Sequence, residues 1–411
     1  MLYRQVPKSG DKLSILGYGC MRLPLKRGRI DERRATRQLR GAIDRGVNYV
    51  DTAQPYHLGA SEPFLGRALR DGYRKKVRLA TKLFSLKIRT ADDLDPFLAS
   101  QLQKLQTDYI DYYLLHGICG PIFARLKGLG IFDFLERAKK DGRIRYAGFS
   151  FHGDIAAFKE IVDAYNWDIC LIQYNYLDEQ IQAGTEGLKY AAAKKMGVLV
   201  MEPLRGGNLA RKVPPAVQAV WDRAEVRRSP AEWALRWVWN HPEVTCVLSG
   251  MNEEKHIEEN LRIAGEALPD SLSEKELALI REAAEKYRGL MKVACTGCRY
   301  CMPCPAGVDI PACFEFYNQL QVFGQKSQNT MLYFLRGWGG IESPRHRYAS
   351  SCTECGACAK VCPQGLPVPQ LIGEVRKIFE GPIFKSLIWC GGGYLAYQKW
   401  RFKNKQKKIK L

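Results

Sequence analysis

Eight of the 14 cysteines stand in two short runs. The first, CTGCRYCMPCP, holds Cys295, Cys298, Cys301 and Cys304 ahead of Pro305; the second, CTECGACAKVCP, holds Cys352, Cys355, Cys358 and Cys362 ahead of Pro363. Thiolates at C-x2-C spacing can reach one soft metal centre together. Zinc ribbons also use C-x2-C pairs, but they rarely line up four cysteines in one run that ends in proline, whereas iron-sulfur ligands do. These residues are expected to ligate two 4Fe-4S clusters, which can scaffold the domain that holds them or carry single electrons.

A second set of reactive side chains lies far upstream. VDTAQPY places Asp51 at the end of a β-rich run with Tyr56 in the loop beyond it, ATK places Lys82 at the next such end, and YLLH places His116 at the one after. A phenol is a general acid near neutral pH only if its pKa, ordinarily about 10, is brought down. Lys82 is expected to do this by favouring the phenolate, with Asp51 holding Lys82 in place. Ser150 and Gln173 are the polar residues at the two following ends.

These positions need a scaffold that delivers strand ends to one rim. From about residue 13 to 266 a short β-rich run, a turn and an amphipathic helix alternate, and eight runs qualify as strands: SILGYGCM, VNYVDTA, VRLATKL, YIDYYLLHG, RYAGFSFHG, CLIQYNY, GVLVMEP and VTCVLSG. Eight strands alternating with helices predict an α/β fold, a (β/α)8 TIM barrel whose active-site mouth collects the C-terminal strand ends.

The motifs DTAQPYHLGASEPFLGRAL, ATK, DYYLLHG, GFS, IQYNYLD and VLSGMNEEKHIEENL together resemble the aldo-keto reductase family, over about residues 2 to 290. The resemblance implies NAD(P)H-dependent reduction of a carbonyl, or the reverse oxidation of an alcohol. Tyr56 would be the proton donor, Lys82 and Asp51 its tuners, and His116 the group that orients the substrate carbonyl. It further implies cofactor contacts from Ser150 and Gln173 at the nicotinamide carboxamide, from Glu259 and Asn260 near the adenine, and from Gly250 and His256. Three departures stand out: Phe151 replaces an asparagine, Met201 replaces the aromatic that stacks on the nicotinamide, and His256 replaces the arginine that grips a 2′-phosphate. The choice between NADP and NAD therefore stays open.

The cysteine runs resemble the bacterial two-cluster ferredoxin pattern, the first being one residue short before its last cysteine. That resemblance implies crossed ligation, with Cys295, Cys298, Cys301 and Cys362 on one cluster and Cys352, Cys355, Cys358 and Cys304 on the other. The expected organisation is a barrel over residues 1–290, a smaller, mainly helical ferredoxin-like domain over 291–380, and an apolar segment with a basic tail over 381–411.

Composition bounds the partners. The formal charge of +20 falls to roughly +16 once two cluster cores are counted, which still favours anionic partners. No nucleic-acid-binding fold accompanies it. The tail QKWRFKNKQKKIKL reads as solvated, or as a peripheral contact to an anionic membrane surface. Clustered cysteines without a disulfide framework predict a cytoplasmic setting, and no window of 18 uninterrupted apolar residues predicts a membrane span. Hydride carries two electrons and each cluster ordinarily moves one, so exchange between them needs an intermediary such as a flavin. No flavin-binding fingerprint marks one. The sequence thus offers two functions: a carbonyl reductase carrying two clusters, or an oxidoreductase whose clusters pass single electrons to a redox partner protein.

Overall fold

The computed structural model describes residues 1–211, 213–295, 300–324, 326–337, 348–362, 364–381 and 384. Cys298, Cys390 and the basic tail lie outside the described residues. The chain divides into two compact units after Lys286.

The first unit is built on eight strands: β1 (Leu16–Gly19), β2 (Tyr49–Asp51), β3 (Arg78–Leu83), β4 (Ile110–Ile118), β5 (Ile144–Phe151), β6 (Ile169–Gln173), β7 (Gly197–Met201) and β8 (Val244–Ser249). They pair in parallel in chain order, and β8 closes on β1 through Val247 and Leu16, so the predicted (β/α)8 barrel is the fold. Strands covered on both faces read as continuous apolar runs, which is why all eight were visible in the sequence. Alternation then divides each run between lumen and helix layer. Tyr112 and Leu114 of β4 join Tyr49, Ala80, Leu171, Leu199 and Cys246 inside the barrel. Tyr113, between them, turns outward against Phe134, with ring centroids 6.5 Å apart.

Closure needs a glycine at one point of the wall. A Cβ on Gly17 would lie 2.8 Å from Leu248 and 2.9 Å from the Cys246 sulfur. Helices return between strands from well-defined starts: Asp154 caps the helix Ile155–Asp163 by accepting from the Ala157 amide at 2.9 Å, and Ser229 caps Pro230–Trp239 by accepting from Glu232 at 3.0 Å. Two antiparallel hairpins, Tyr3–Gln5 with Lys12–Ser14 and Leu25–Lys26 with Arg29–Ile30, were not legible as strands. Leu13, within the first, and Val6, beside it, pack into the barrel core.

The second unit is mainly helical. Helices Ile310–Phe323 and Lys326–Gly337 occupy the span between the cysteine runs, and Val368–Phe379 follows the second run. Its core gathers Phe314, Tyr317, Tyr333, Tyr348, Val375 and Phe379, and Tyr333 stacks on Phe379 with centroids 4.8 Å apart. Asn318 clamps the chain just before the first run, donating to the Val293 carbonyl at 2.7 Å and accepting from its amide at 2.9 Å. Among the described residues no helix is long and apolar enough to cross a membrane.

Candidate active site and cysteine pocket

Asp51, Lys82 and His116 sit at or near the C-terminal ends of β2, β3 and β4, and Tyr56 lies in the loop that leaves β2. The barrel brings all four together. Lys82 Nζ donates to both Asp51 carboxylate oxygens, at 2.6 and 2.7 Å, to the Thr52 carbonyl at 2.9 Å and to the Tyr56 hydroxyl at 3.2 Å. The Tyr56 ring meets His116 edge-on, centroids 6.0 Å apart, and Phe84 lies 5.7 Å from the same imidazole.

The electrostatics of this group follow from burial and charge. Burial alone would discharge Lys82, but Asp51 and Tyr56 outweigh it, and the ammonium is held above its ordinary range. Burial and the nearby Lys82 push His116 well below its usual value, so the imidazole is neutral. Its Nδ1 is buried and has no hydrogen-bond partner among the described residues. For Tyr56 the outcome differs from expectation. Lys82 does pull the phenol down, but desolvation is the larger influence and the net direction is upward.

Ser150, at the end of β5, accepts from the Gly117 amide at 2.8 Å. Its neighbour Phe151 points the other way, edge-on to Phe158 at 5.0 Å, so strand alternation removes that position from the lumen. Gln173 donates to Asp178 at 3.2 Å and accepts from Gln182 at 2.9 Å. Asp178, which the sequence reading passed over, is 2% exposed and also binds Arg205 Nε at 3.2 Å and Asn175 Nδ2 at 3.0 Å. Arg205 opens a loop in which Gly206 and Gly207 take φ of 69° and 90°.

The remaining predicted contacts cluster after β8. Gly250 abuts Arg22, where an added Cβ would lie 3.0 Å from the arginine Cβ. Asn260 is buried and donates to Ser249 at 3.0 Å. Glu259 is turned to Ser229, and His256 lies half-buried beside exposed Lys255, whose ammonium is 3.5 Å from Glu253.

In the second unit Cys304, Cys352, Cys355 and Cys358 line one pocket, walled by Val308, Ile310 and Ile372. Burial holds the Cys358 thiol above its ordinary range, and Cys352 and Cys304 nearby add to the effect. Among the described residues no three His, Cys, Asp or Glu side chains are drawn close enough to grip a single metal ion. An all-thiol donor set spread around a pocket fits a core several atoms wide rather than one zinc ion. Cys295, Cys301 and Cys362 are half-buried and pack against the same apolar core. Of the other cysteines, Cys20, Cys170, Cys246 and Cys313 are buried and Cys119 is half-buried.

Comparison with known proteins places both units. The model of the aldo/keto reductase family matches residues 15–285, and that of the 4Fe-4S dicluster domain matches residues 294–366. The chain belongs to the aldo/keto reductase family. It is an oxidoreductase with an iron-sulfur dicluster domain C-terminal to its barrel. Among its relatives is the NADH-specific methylglyoxal reductase of Escherichia coli, 27% identical over 282 residues that cover 58% of this chain and 84% of that protein. L-galactose dehydrogenase of Arabidopsis thaliana is 24% identical over 307 residues, 70% of this chain and 95% of that protein. The solved aldo-keto reductase AKR11C1 of Bacillus halodurans superposes with a TM-score of 0.58 at 28% identity, covering 69% of this chain and 96% of its own.

Proposed function

We propose that this reductase uses NADH to reduce a small-molecule carbonyl, with alcohol oxidation as the reverse. The observation that carries the reading is the set of contacts at Lys82, whose ammonium meets both oxygens of Asp51 and the Tyr56 hydroxyl at the barrel mouth. A bound reduced nicotinamide would supply the hydride. Tyr56 gives its proton to the carbonyl oxygen, and the phenolate left behind faces the Lys82 ammonium, which stabilises it. Asp51 keeps Lys82 charged in a site that would otherwise discharge it. His116, neutral, offers an N–H to the same oxygen and fixes its approach.

The helix Glu254–Ile263 and the residue before it support NADH over NADPH. By resemblance to the family this stretch would face the 2′-phosphate of NADPH, and its Glu253, Glu254, Glu258 and Glu259 oppose a further anion there. Lys255 is paired with Glu253, and Arg34 is committed to Glu254 through a bond of 3.0 Å from its Nε. The NADH specificity in the name of the Escherichia coli relative supports the same choice. Steady-state assays of the wild type and of Tyr56→Phe with both nucleotides test the reading. Removing the proton donor is expected to cost 10²- to 10⁴-fold in kcat while nucleotide binding stays within twofold. Wild-type turnover in the phenylalanine variant would overturn the assignment.

Cys355 favours a second reading, since it is exposed while the other three thiols of its pocket are half-buried. A cluster bound there would supply a one-electron store with an edge at the surface of the unit, suited to a redox partner protein. Coupling to a nicotinamide would need a cofactor such as a flavin that splits the electron pair. Anaerobic addition of NADH distinguishes the readings: bleaching of cluster absorbance supports the relay, and unchanged absorbance with dithionite still bleaching supports the reductase alone.

A further inference from the structure

The helix Ser61–Ala68 follows the Tyr56 loop and buries two polar side chains in its first turn. Each reaches a different strand end of the site. Ser61 Oγ shares a hydrogen bond of 2.8 Å with Thr52 Oγ1 and donates to the Cys20 carbonyl at 3.3 Å. Thr52 is the residue whose carbonyl accepts from Lys82. Glu62 is fully buried, and its Oε1 accepts from Thr81 Oγ1 at 2.8 Å and from Gln101 Nε2 at 2.5 Å. Gln101 Nε2 also donates to the Lys82 carbonyl at 3.1 Å, and its Oε1 accepts from the Tyr113 hydroxyl at 2.8 Å. Glu62 Oε2 has no hydrogen-bond partner among the described residues, and its nearest cation is Lys104 Nζ at 3.8 Å.

A carboxylate that deep is costly for the fold, and an apolar side chain would fill the same space at less expense. Stability alone therefore does not explain its presence. What the carboxylate does is tie the first turn of the helix, six residues beyond Tyr56, to the Thr81 side chain directly and, through Gln101, to the Lys82 carbonyl. We propose that Glu62 is a positioning residue that sets the Lys82–Tyr56 distance by bonding to Thr81 and Gln101, with Ser61 doing the same for the Asp51–Thr52 strand end. It touches neither substrate nor cofactor. The inference rests on the reading of Tyr56 and Lys82 as proton donor and tuner. The distance matters because displacing a reacting group by about 1 Å costs on the order of a hundredfold in rate.

Glu62→Gln keeps the oxygen that accepts from Thr81 and Gln101, whereas Glu62→Ala removes it. The alanine variant is expected to lose about a hundredfold in kcat with an unchanged dissociation constant for NADH. The alkaline limb of its pH–rate profile moves upward, because a more distant ammonium lowers the Tyr56 pKa less. The glutamine variant is expected to restore kcat to within threefold of wild type and to return the limb to its place. Thr81→Val breaks the same link from the other side and serves if the alanine variant does not fold. A folded Glu62→Ala or Thr81→Val enzyme with wild-type kcat and an unmoved alkaline limb would show Glu62 to be merely structural. Tyr56→Phe, assayed alongside, separates the two levels. If it is inactive while the other variants behave as wild type, only the positioning role falls; if it is active, the proton-donor reading falls and this inference with it.

Discussion

Tyr56 holds its proton under two opposed pulls, desolvation upward and Lys82 downward, and desolvation is the stronger. As the proposed donor, Tyr56 is protonated throughout the neutral range and fails only when the pH rises through its pKa; the downward pull that makes it an acid at all comes from Lys82, working against desolvation. His116 lies far below its ordinary value and so has no charge to gain between pH 6 and 8. Carbonyl reduction by this enzyme is therefore expected to have a flat kcat/KM from about pH 6 to 9, with a single fall on the alkaline side. Alcohol oxidation, which needs the phenolate, should rise where reduction falls. An acid limb near pH 6.5 that disappears in His116→Gln would show that the imidazole titrates and that its neutrality has been misjudged.

At the scale of elements, the buried pair of Asp178 and Arg205 joins the loop after β6 to the glycine-containing loop after β7, and Gln173 hangs from the same carboxylate. Truncating one partner of a buried, hydrogen-bonded ion pair costs roughly 3 kcal/mol, because the other charge is left uncompensated. Asp178→Ala is thus expected to lower stability by about that amount in urea unfolding. It should also raise KM for NADH several-fold while kcat on a saturated enzyme changes little. A variant with unaltered KM would separate this carboxylate from nucleotide binding. The same region shows where reading the chain stops. Asp51, Lys82 and His116 were visible because each ends an apolar run, and the strand alternation that lays Phe151 against Phe158 is implicit in FSF. Asp178 and Glu62 were not visible, since an acidic residue in a loop or at a helix start reads as solvated. Their burial comes from packing partners more than 15 residues away, such as Arg205 and Gln101. The short hairpins escaped notice for a related reason. Two- and three-residue strands carry too little alternation to register, and only the φ of 51° and 77° at Arg27 and Gly28 marks the second of them.

For the whole molecule, the separation into two units makes the redox load of each testable alone. If Cys304 belongs with Cys352, Cys355 and Cys358, as their shared pocket suggests, Cys304→Ser removes a ligand of the second run's cluster although it lies in the first run. Iron and sulfide are expected to fall from about eight to about four of each per chain, with loss of one electron-paramagnetic-resonance signal on reduction and no change in NADH affinity. Retention of the full iron content would return Cys304 to a structural role. The crossing of the two runs was implied by their resemblance to the two-cluster ferredoxin pattern, whereas the shortened gap before Cys304 left no way to infer its side-chain direction without the fold.

The shared pocket also orders events during synthesis. By the time Cys304 leaves the ribosome the barrel is complete, yet Cys352, Cys355 and Cys358 have still to be made. A nascent chain can fold its catalytic unit before it can present four thiols to iron at this site. None of the eight clustered cysteines lies in the first unit, so iron supply is expected to bear on the maturation of the second.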